Sequence, residues 1–339
     1  MIGLWFALLA FTLILFVVLD GWNIGAGVLH LFLARTEDER RRVVAALGPL
    51  WSWHEVWLVA AGGVFVLAFP RVMAAGFAGF YLALWLVLWA FILRGIALEV
   101  GAHLDDPLWR SAWHTVFAAA SLLLALLFGV ALGNVVRGVP IPASGQFSMA
   151  LFTTFDVRGD VGLLDWYTLS VGIFATALLA AHGATYLRLR TSGALNLRAT
   201  TAAHLTWGAV ALLFPVVTFE TWVVRPELFA GIAARPAAWL ALAAVAAGVF
   251  MLSSGLRRAS ESRALAGSSA TIAGLLASAA AGIFPDMLHS TLAPHFSLTA
   301  SAGATTAHGL RVALVWWPAA AALSFVYAAV VARRTHGKV

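Results

Sequence analysis

Cysteine is absent from all 339 residues, so the chain has no disulfide, no iron–sulfur cluster, no thiolate-ligated haem and no cysteine-based zinc site. The absence says nothing about redox compartment. Charge is scarce too: Asp, Glu, Lys and Arg make up 11% of the chain, against about 25% in an ordinary soluble domain. With 62% hydrophobic residues and a mean hydropathy of +0.92, this composition excludes a soluble fold and fits a polytopic membrane protein. The first apolar run lacks a basic start, and Asp20-Gly21-Trp22-Asn23 is not a small-residue cleavage pattern, so it reads as a membrane helix rather than a signal peptide. A formal charge of +6 would suit a polyanion, yet the basic residues fall in short loops where topology accounts for them. No nucleic-acid partner is expected.

What the chain does have is nine apolar runs long enough to cross a bilayer. They lie at about 3–33, 50–69, 75–100, 111–134, 165–188, 198–222, 236–255, 265–285 and 306–332. An odd number places the termini on opposite sides. Arg35, Arg40, Arg41, Arg42, Arg110, Arg188, Arg190, Arg198, Arg257, Arg258, Arg263, Arg333, Arg334 and Lys338 fall on one side; Arg71, Arg137, Arg158, Arg225 and Arg235 fall on the other. The positive-inside rule then predicts an outside N-terminus and a cytoplasmic C-terminus. The loops at about 135–164 and 285–305 read as irregular external connections, and Arg35 to Arg42 as a solvated cytoplasmic turn. Trp5, Trp166, Trp222, Trp239, Trp316 and Trp317 are expected as interfacial anchors. A faint echo between Gly27–Thr36 and Gly183–Thr191 suggests a parallel four-helix repeat.

Against this apolar background, ionisable groups inside the spans stand out, because each costs roughly 2.5–3.5 kcal/mol near mid-membrane unless it is partnered. The first span carries Asp20, Asn23 and His30, the second His54 and Glu55, the third Arg94 and Glu99. His182, His204, Glu220 and Arg311 follow in later spans. Arg94 and Glu99 are five residues apart and diverge by about 140°, so Arg94 needs an acid such as Asp20 or Glu55, or an anionic group of a bound molecule. Asp20 and Glu99 are expected on one hydrated track. His54 and Glu55 diverge by about 100°, which predicts Glu55 inside near Arg94 and His54 turned to a neighbouring helix or subunit. His30, His182 and His204 sit near span ends, where the interface explains them. His54 is the one candidate haem ligand, although a histidine beside a glutamate more often holds a hydrogen bond or relays protons. No metal-site spacing such as His-Glu-x-x-His occurs.

Several motifs together carry a family resemblance. They are Asp20-Gly21-Trp22-Asn23-Ile24-Gly25-Ala26-Gly27, Gly48-Pro49-Leu50-Trp51, Glu55-Val56-Trp57-Leu58, Leu93-Arg94-Gly95, Gly138-Val139-Pro140, His182-Gly183-Ala184-Thr185-Tyr186-Leu187 and Phe284-Pro285. In these the chain resembles subunit II of the cytochrome bd oxidases from end to end. The resemblance implies an all-α polytopic protein of about nine transmembrane helices in the bacterial cytoplasmic membrane. It implies two four-helix bundles, at 1–134 and 165–285, plus a peripheral helix at 306–332. The implied complex reduces O2 to water with electrons from quinol. This chain would bind no haem; haem b and haem d type groups and the quinol site would belong to a partner, subunit I. A small single-helix subunit and a bound lipid or quinone are further partners such a complex admits. By the same resemblance Asp20, Arg94 and Glu99 match the family's polar positions. Asn23 stands where the family has a second acid, and Ser52 where it has an acid linked to proton uptake. His54 and Glu55 would then serve the relay, or the donor would be a cytochrome c. A secondary transporter is the reading from another class, since a parallel repeat with midplane polar groups also permits it.

Overall fold

The computed structural model describes residues 1–339 apart from Pro49, Ala102, Asp160, Thr335 and His336, and apart from the side chains of Leu50, Trp51, Ser52, Ala332 and Arg334. The chain is built of helices: α1 (Ile2–Leu33), α2 (Glu37–Leu47), α3 (Leu50–Ala68), α4 (Pro70–Gly79), α5 (Tyr81–Val100), α6 (Pro107–Arg137), α7 (Trp166–Arg190), α8 (Gly193–Val224), α9 (Glu227–Ala234), α10 (Pro236–Arg257), α11 (Glu261–Ile283), α12 (Ala300–Gly303) and α13 (Ala307–Arg334). Two short strands, β1 (Asp286–Leu288) and β2 (Leu298–Thr299), pair antiparallel between α11 and α12. Among the described residues eight helices are long and apolar enough to span a membrane, or nine if the bent pair α3–α4 counts as one span.

Helix α1 runs through the middle. It packs on α3 and α6 to one side and on α7 and α11 to the other; α5 lies on α6, α8 on α7, α10 on α11, and α13 lies along α3. The crossing of α1 with α7 depends on glycine. A Cβ at Gly25 would overlap the carbonyl oxygen of Leu179, and one at Gly183 would overlap the backbone at Gly25 and Ala26, so the two helices meet backbone to backbone.

Two segments differ from their sequence reading. Arg35 to Arg42 is not a solvated turn but leads into α2, because Thr36 and Glu39 form a reciprocal capping box that satisfies the first free amides. Val43, Ala46 and Leu47 on its inner face are buried. The run at 75–100 is likewise two helices. Pro70 starts α4 after Phe69, α4 is bent by 119° from α3, and the spanning helix α5 begins only at Tyr81.

The arginine-rich ends of the helices are tied to one another. Arg198 bonds the carbonyl of Leu33 (2.7 Å) and pairs with Glu39, Asn196 reaches Glu261 (3.3 Å), and Lys338 reaches the same carboxylate (2.8 Å). The Arg198 bond holds the Glu39 carboxyl below its usual range. At the opposite end the two long connections fold together: the Val139 amide bonds the His289 carbonyl (2.8 Å), and the Ser290 hydroxyl bonds the Ile141 carbonyl (2.7 Å). Trp5 was expected at an interface. Instead it is fully buried, and its indole donates to the carbonyl of Leu310 in α13 (3.2 Å).

Candidate functional site

The site grows from the second half of α1. Asp20 and Asn23 are three residues apart, nearly one turn, so both side chains face α3 and α5. The Asn23 amide donates to Asp20 Oδ1 (3.0 Å) and lies 2.7 Å from Nδ1 of His54 on α3. From α5, Arg94 sets Nη1 3.0 Å from Asp20 Oδ2 and Nη2 2.8 Å from Glu55 Oε1. Both Arg94 and Asp20 have no exposed side-chain surface, whereas Glu55 is 29% exposed. Three helices are thereby joined through one guanidinium.

Electrostatics explain the arrangement. A buried guanidinium in hydrocarbon surroundings is tolerable only with its charge matched, and the planar fork of arginine can serve two carboxylates at once. Two acids against one arginine leave the cluster one proton short of neutrality if both acids are ionised. Packed beside it is an aromatic group: His54 lies between the indoles of Trp22 and Trp53, with ring centroids at 5.1 and 4.5 Å, and Trp22 stacks on Tyr186 at 4.9 Å.

Of the residues singled out in the sequence, Asp20, His54, Glu55 and Arg94 come together here, and Asn23 joins them. The divergence expected of His54 and Glu55 takes another form: His54 is the fully buried member, held inside the same group of helices by Asn23, while Glu55 reaches Arg94 from the edge. Glu99 is exposed near the C-terminal end of α5 and is not part of the cluster. The side chain of Ser52 lies outside the described residues.

The reading of His30 and His182 as interfacial is overturned. Both are fully buried. His182 uses its two ring nitrogens on the Ser268 hydroxyl (2.6 Å) and the Val18 carbonyl (2.9 Å), which tie α7 to α11 and α1. His30 sets Nε2 2.9 Å from Nδ1 of His114 on α6. His204 is exposed and bonds the Thr200 carbonyl (2.8 Å); Arg311 is exposed on α13, and Glu220 accepts from Ser170 (3.2 Å).

Residues that sequence reasoning missed lie at the ends of the helices. Arg137 pairs with Asp165, bonds Asn134 Oδ1 (2.7 Å) and reaches the Gly162 carbonyl (3.2 Å), all buried. Close by, Arg225 bonds the Val136 carbonyl (3.0 Å) and faces Asp286 (3.5 Å), which also meets His289 (3.3 Å). Burial lowers the pKa of Arg225, and burial together with the Arg225 charge lowers that of His289. The acid and arginine at 137 and 165 could have been noticed as a pair flanking one loop.

His182 has both nitrogens engaged, His30 is bonded to His114, and His54 is wedged between two indoles. No group of three or more His, Cys, Asp or Glu suited to a metal ion occurs among the described residues.

Comparison with known proteins bears on what this arrangement serves. The model of the family described as cytochrome bd terminal oxidase subunit II matches residues 1–334. A Haemophilus influenzae protein named probable cytochrome oxidase subunit 2 is 31% identical over 325 residues, covering 87% of this chain and 83% of that one. The Escherichia coli cytochrome bd-I ubiquinol oxidase subunit 2 is 34% identical over 224 residues, and the Bacillus subtilis cytochrome bd ubiquinol oxidase subunit 2 is 32% identical over 207. Those matches span only 56% and 59% of the relatives' lengths. In fold, the chain superposes on a chain of the bd oxidase from Geobacillus thermodenitrificans with a TM-score of 0.70 at 16% identity, covering 98% of this chain and 97% of that one.

Proposed function

Because the chain belongs to the cytochrome bd terminal oxidase subunit II family, we propose that it works as the second subunit of a bacterial membrane complex that reduces O2 to water with electrons from quinol. Two quinols supply four electrons and four protons, and one O2 becomes two waters. The partner is subunit I. The haems, of b and d type, and the quinol site belong to that partner, which supplies the redox chemistry. A small single-helix subunit and a lipid or quinone complete the proposed assembly. We place the N-terminus outside and the C-terminus in the cytoplasm, on the side where the arginine-rich helix ends gather. We also divide the chain at 1–134 and 165–285, with 306–332 as an added helix.

This chain's own share is structural support and a proton route. The observation that carries it is the buried Arg94 fork between Asp20 and Glu55. A charge cluster in mid-membrane costs stability relative to a packed apolar core, so its presence marks a pathway rather than a fastening. In the proposed track Asp20 and Glu55 exchange protons against the fixed charge of Arg94, Asn23 with His54 extends the line, and Glu99, which stands apart from the cluster on α5, takes up protons on the cytoplasmic half. Ser52, where the family has an acid, is relieved of that role by His54 two residues on. Asp20→Asn and Glu99→Gln, each in the assembled complex, are expected to slow both quinol-driven turnover and proton uptake. Parental rates in both variants would remove the route. Ser52→Asp combined with His54→Asn should recover the loss caused by His54→Asn alone.

A further inference from the structure

A second polar line, separate from the arginine cluster, enters the same helix from its arginine-rich end. Glu37 opens α2 and is 30% exposed; its carboxylate lies 3.4 Å from Nε2 of His114, which is 13% exposed. Nδ1 of His114 lies 2.9 Å from Nε2 of the fully buried His30, and Nδ1 of His30 has no protein partner among the described residues. Solvent, carboxylate, imidazole and imidazole therefore follow one another in single file. Histidine is the side chain suited to such a position, since each ring can accept a proton at one nitrogen and release another from the second.

The line points toward the centre. Asn23, Gly27 and His30 fall within about 60° of one another around α1, and His30 is about 10.5 Å along the axis from Asn23. At Gly27 the stripe is packed directly by α6: a Cβ there would overlap the buried side chain of Ser121 and come 3.1 Å from the tip of the Phe117 ring, so the Ser121 hydroxyl, which donates to the Phe117 carbonyl (2.7 Å), is the polar group of α6 that meets the stripe between Asn23 and His30. No apolar side chain of α1 interrupts the stripe. The edge of the Phe117 ring closes one side of His30, at 5.3 Å between centroids.

We propose that Glu37, His114 and His30 form a proton-entry relay that feeds the polar cluster at Asn23 and Asp20; it deepens the proton route described above and rests on it for its inner end. A proton from water or from the Glu37 carboxyl group binds Nε2 of His114. The imidazolium releases its Nδ1 proton to Nε2 of His30, and His30 gives its own Nδ1 proton to a water molecule that carries it toward the Asp20 carboxylate. A return of both rings to the starting tautomer resets the relay, with no net change in either residue. The charged groups that face the pair are Glu37 and Arg40 on α2 and Arg110 on α6, with Asp105 bound to Arg110.

The test uses the complex purified with its haem-bearing partner, at haem content equal to the parent. His114→Ala and His30→Ala should each lower turnover about tenfold near pH 8, where protons are scarce, a modest loss for removing an acid–base group. Serial steps of one path make the double variant no slower than the slower single variant. Imidazole added to the medium should restore His114→Ala, whose site reaches the surface, and should do nothing for the parent. If His114→Ala loses haem, His114→Gln keeps a hydrogen-bonding side chain and carries the same expectation. Parental turnover across about pH 5.5–8, multiplied losses in the double variant, or no recovery with imidazole would each overturn the relay. Asp20→Asn, measured beside them, separates the two ideas. Normal turnover there with slow histidine variants removes the inner route and leaves an entry relay that delivers elsewhere; the reverse removes the relay alone.

Discussion

The two sides of α1 hold their neighbours by opposite means. Toward α3 and α5, Asp20 and Asn23 project polar atoms that must be matched one by one by Arg94 and His54. Toward α7, Gly21 and Gly25 project nothing, and Leu179 and Gly183 come close because nothing is there. Small residues of this kind give membrane helices dispersion contact at short axial distance without any charge. The comparison teaches that close packing, joined by one neutral hydrogen bond from His182 to the Val18 carbonyl, can hold α7 to α1 without a charge pair, and glycines bring backbones together again where Gly248, Gly255, Gly267 and Gly274 join α10 to α11. The charge on the other side of α1 is the part that the proposed proton route would use.

Removing the charge should have the largest effect. Arg94→Leu leaves two acids in the cluster without a cation and is expected to cost about 3–5 kcal/mol, seen as a lower melting temperature and haem loss from the purified complex. Arg94→Lys should retain part of the stability, because an ammonium on a thinner stem meets one carboxylate well and not two. If Arg94→Leu melts like the parent, the polar side of α1 is no different in kind from the glycine side. On that glycine side, Gly25→Val must push α7 away and should cost about 1–3 kcal/mol. Complexes that do assemble should keep the parent's pH profile of turnover. A shifted profile would show that the two sides are not independent.

Smaller effects sharpen the contrast with the helix ends, which lie near water. Thr36→Ala deletes one half of the α2 capping box and should cost about 1 kcal/mol, read as faster amide exchange at the start of α2. The smallest effects come from titration. Glu39 has a lowered pKa in the folded chain, so its pairing with Arg198 contributes above the ordinary carboxylate range and fades as pH falls through the folded value. His289 is also lowered: folded, it stays neutral where the unfolded chain takes up a proton, so acidification below its ordinary value near 6.5 costs stability. His289→Gln should flatten that second decline in melting temperature and leave the first. An unchanged decline would assign it to other groups.

Spans and in-membrane charges were legible because hydrocarbon makes long apolar runs necessary and charges conspicuous. Arg94 could be matched to Asp20 or Glu55 from valence alone. What could not be read was depth within the bundle. His30 and His182 stand toward the ends of long helices, yet His114 of α6 meets the one and Ser268 of α11 meets the other, and both partners come from distant sequence. His114 went unnoticed because it means little without His30. The capping box at Thr36 and Glu39 was present in the letters, but a row of six charged residues looked like a loop. Trp5 was misplaced for a similar reason, since an indole at a helix start is an interfacial signal only when nothing packs over it.

That tryptophan carries one more consequence, in time rather than space. Its acceptor at Leu310 lies 305 residues later, and at roughly 5–20 residues per second a ribosome takes about 15–60 s to cover the interval. For that period α1 lacks the acceptor that its indole has in the folded protein. The contact between α1 and α13 therefore joins one of the earliest-made segments to one of the latest.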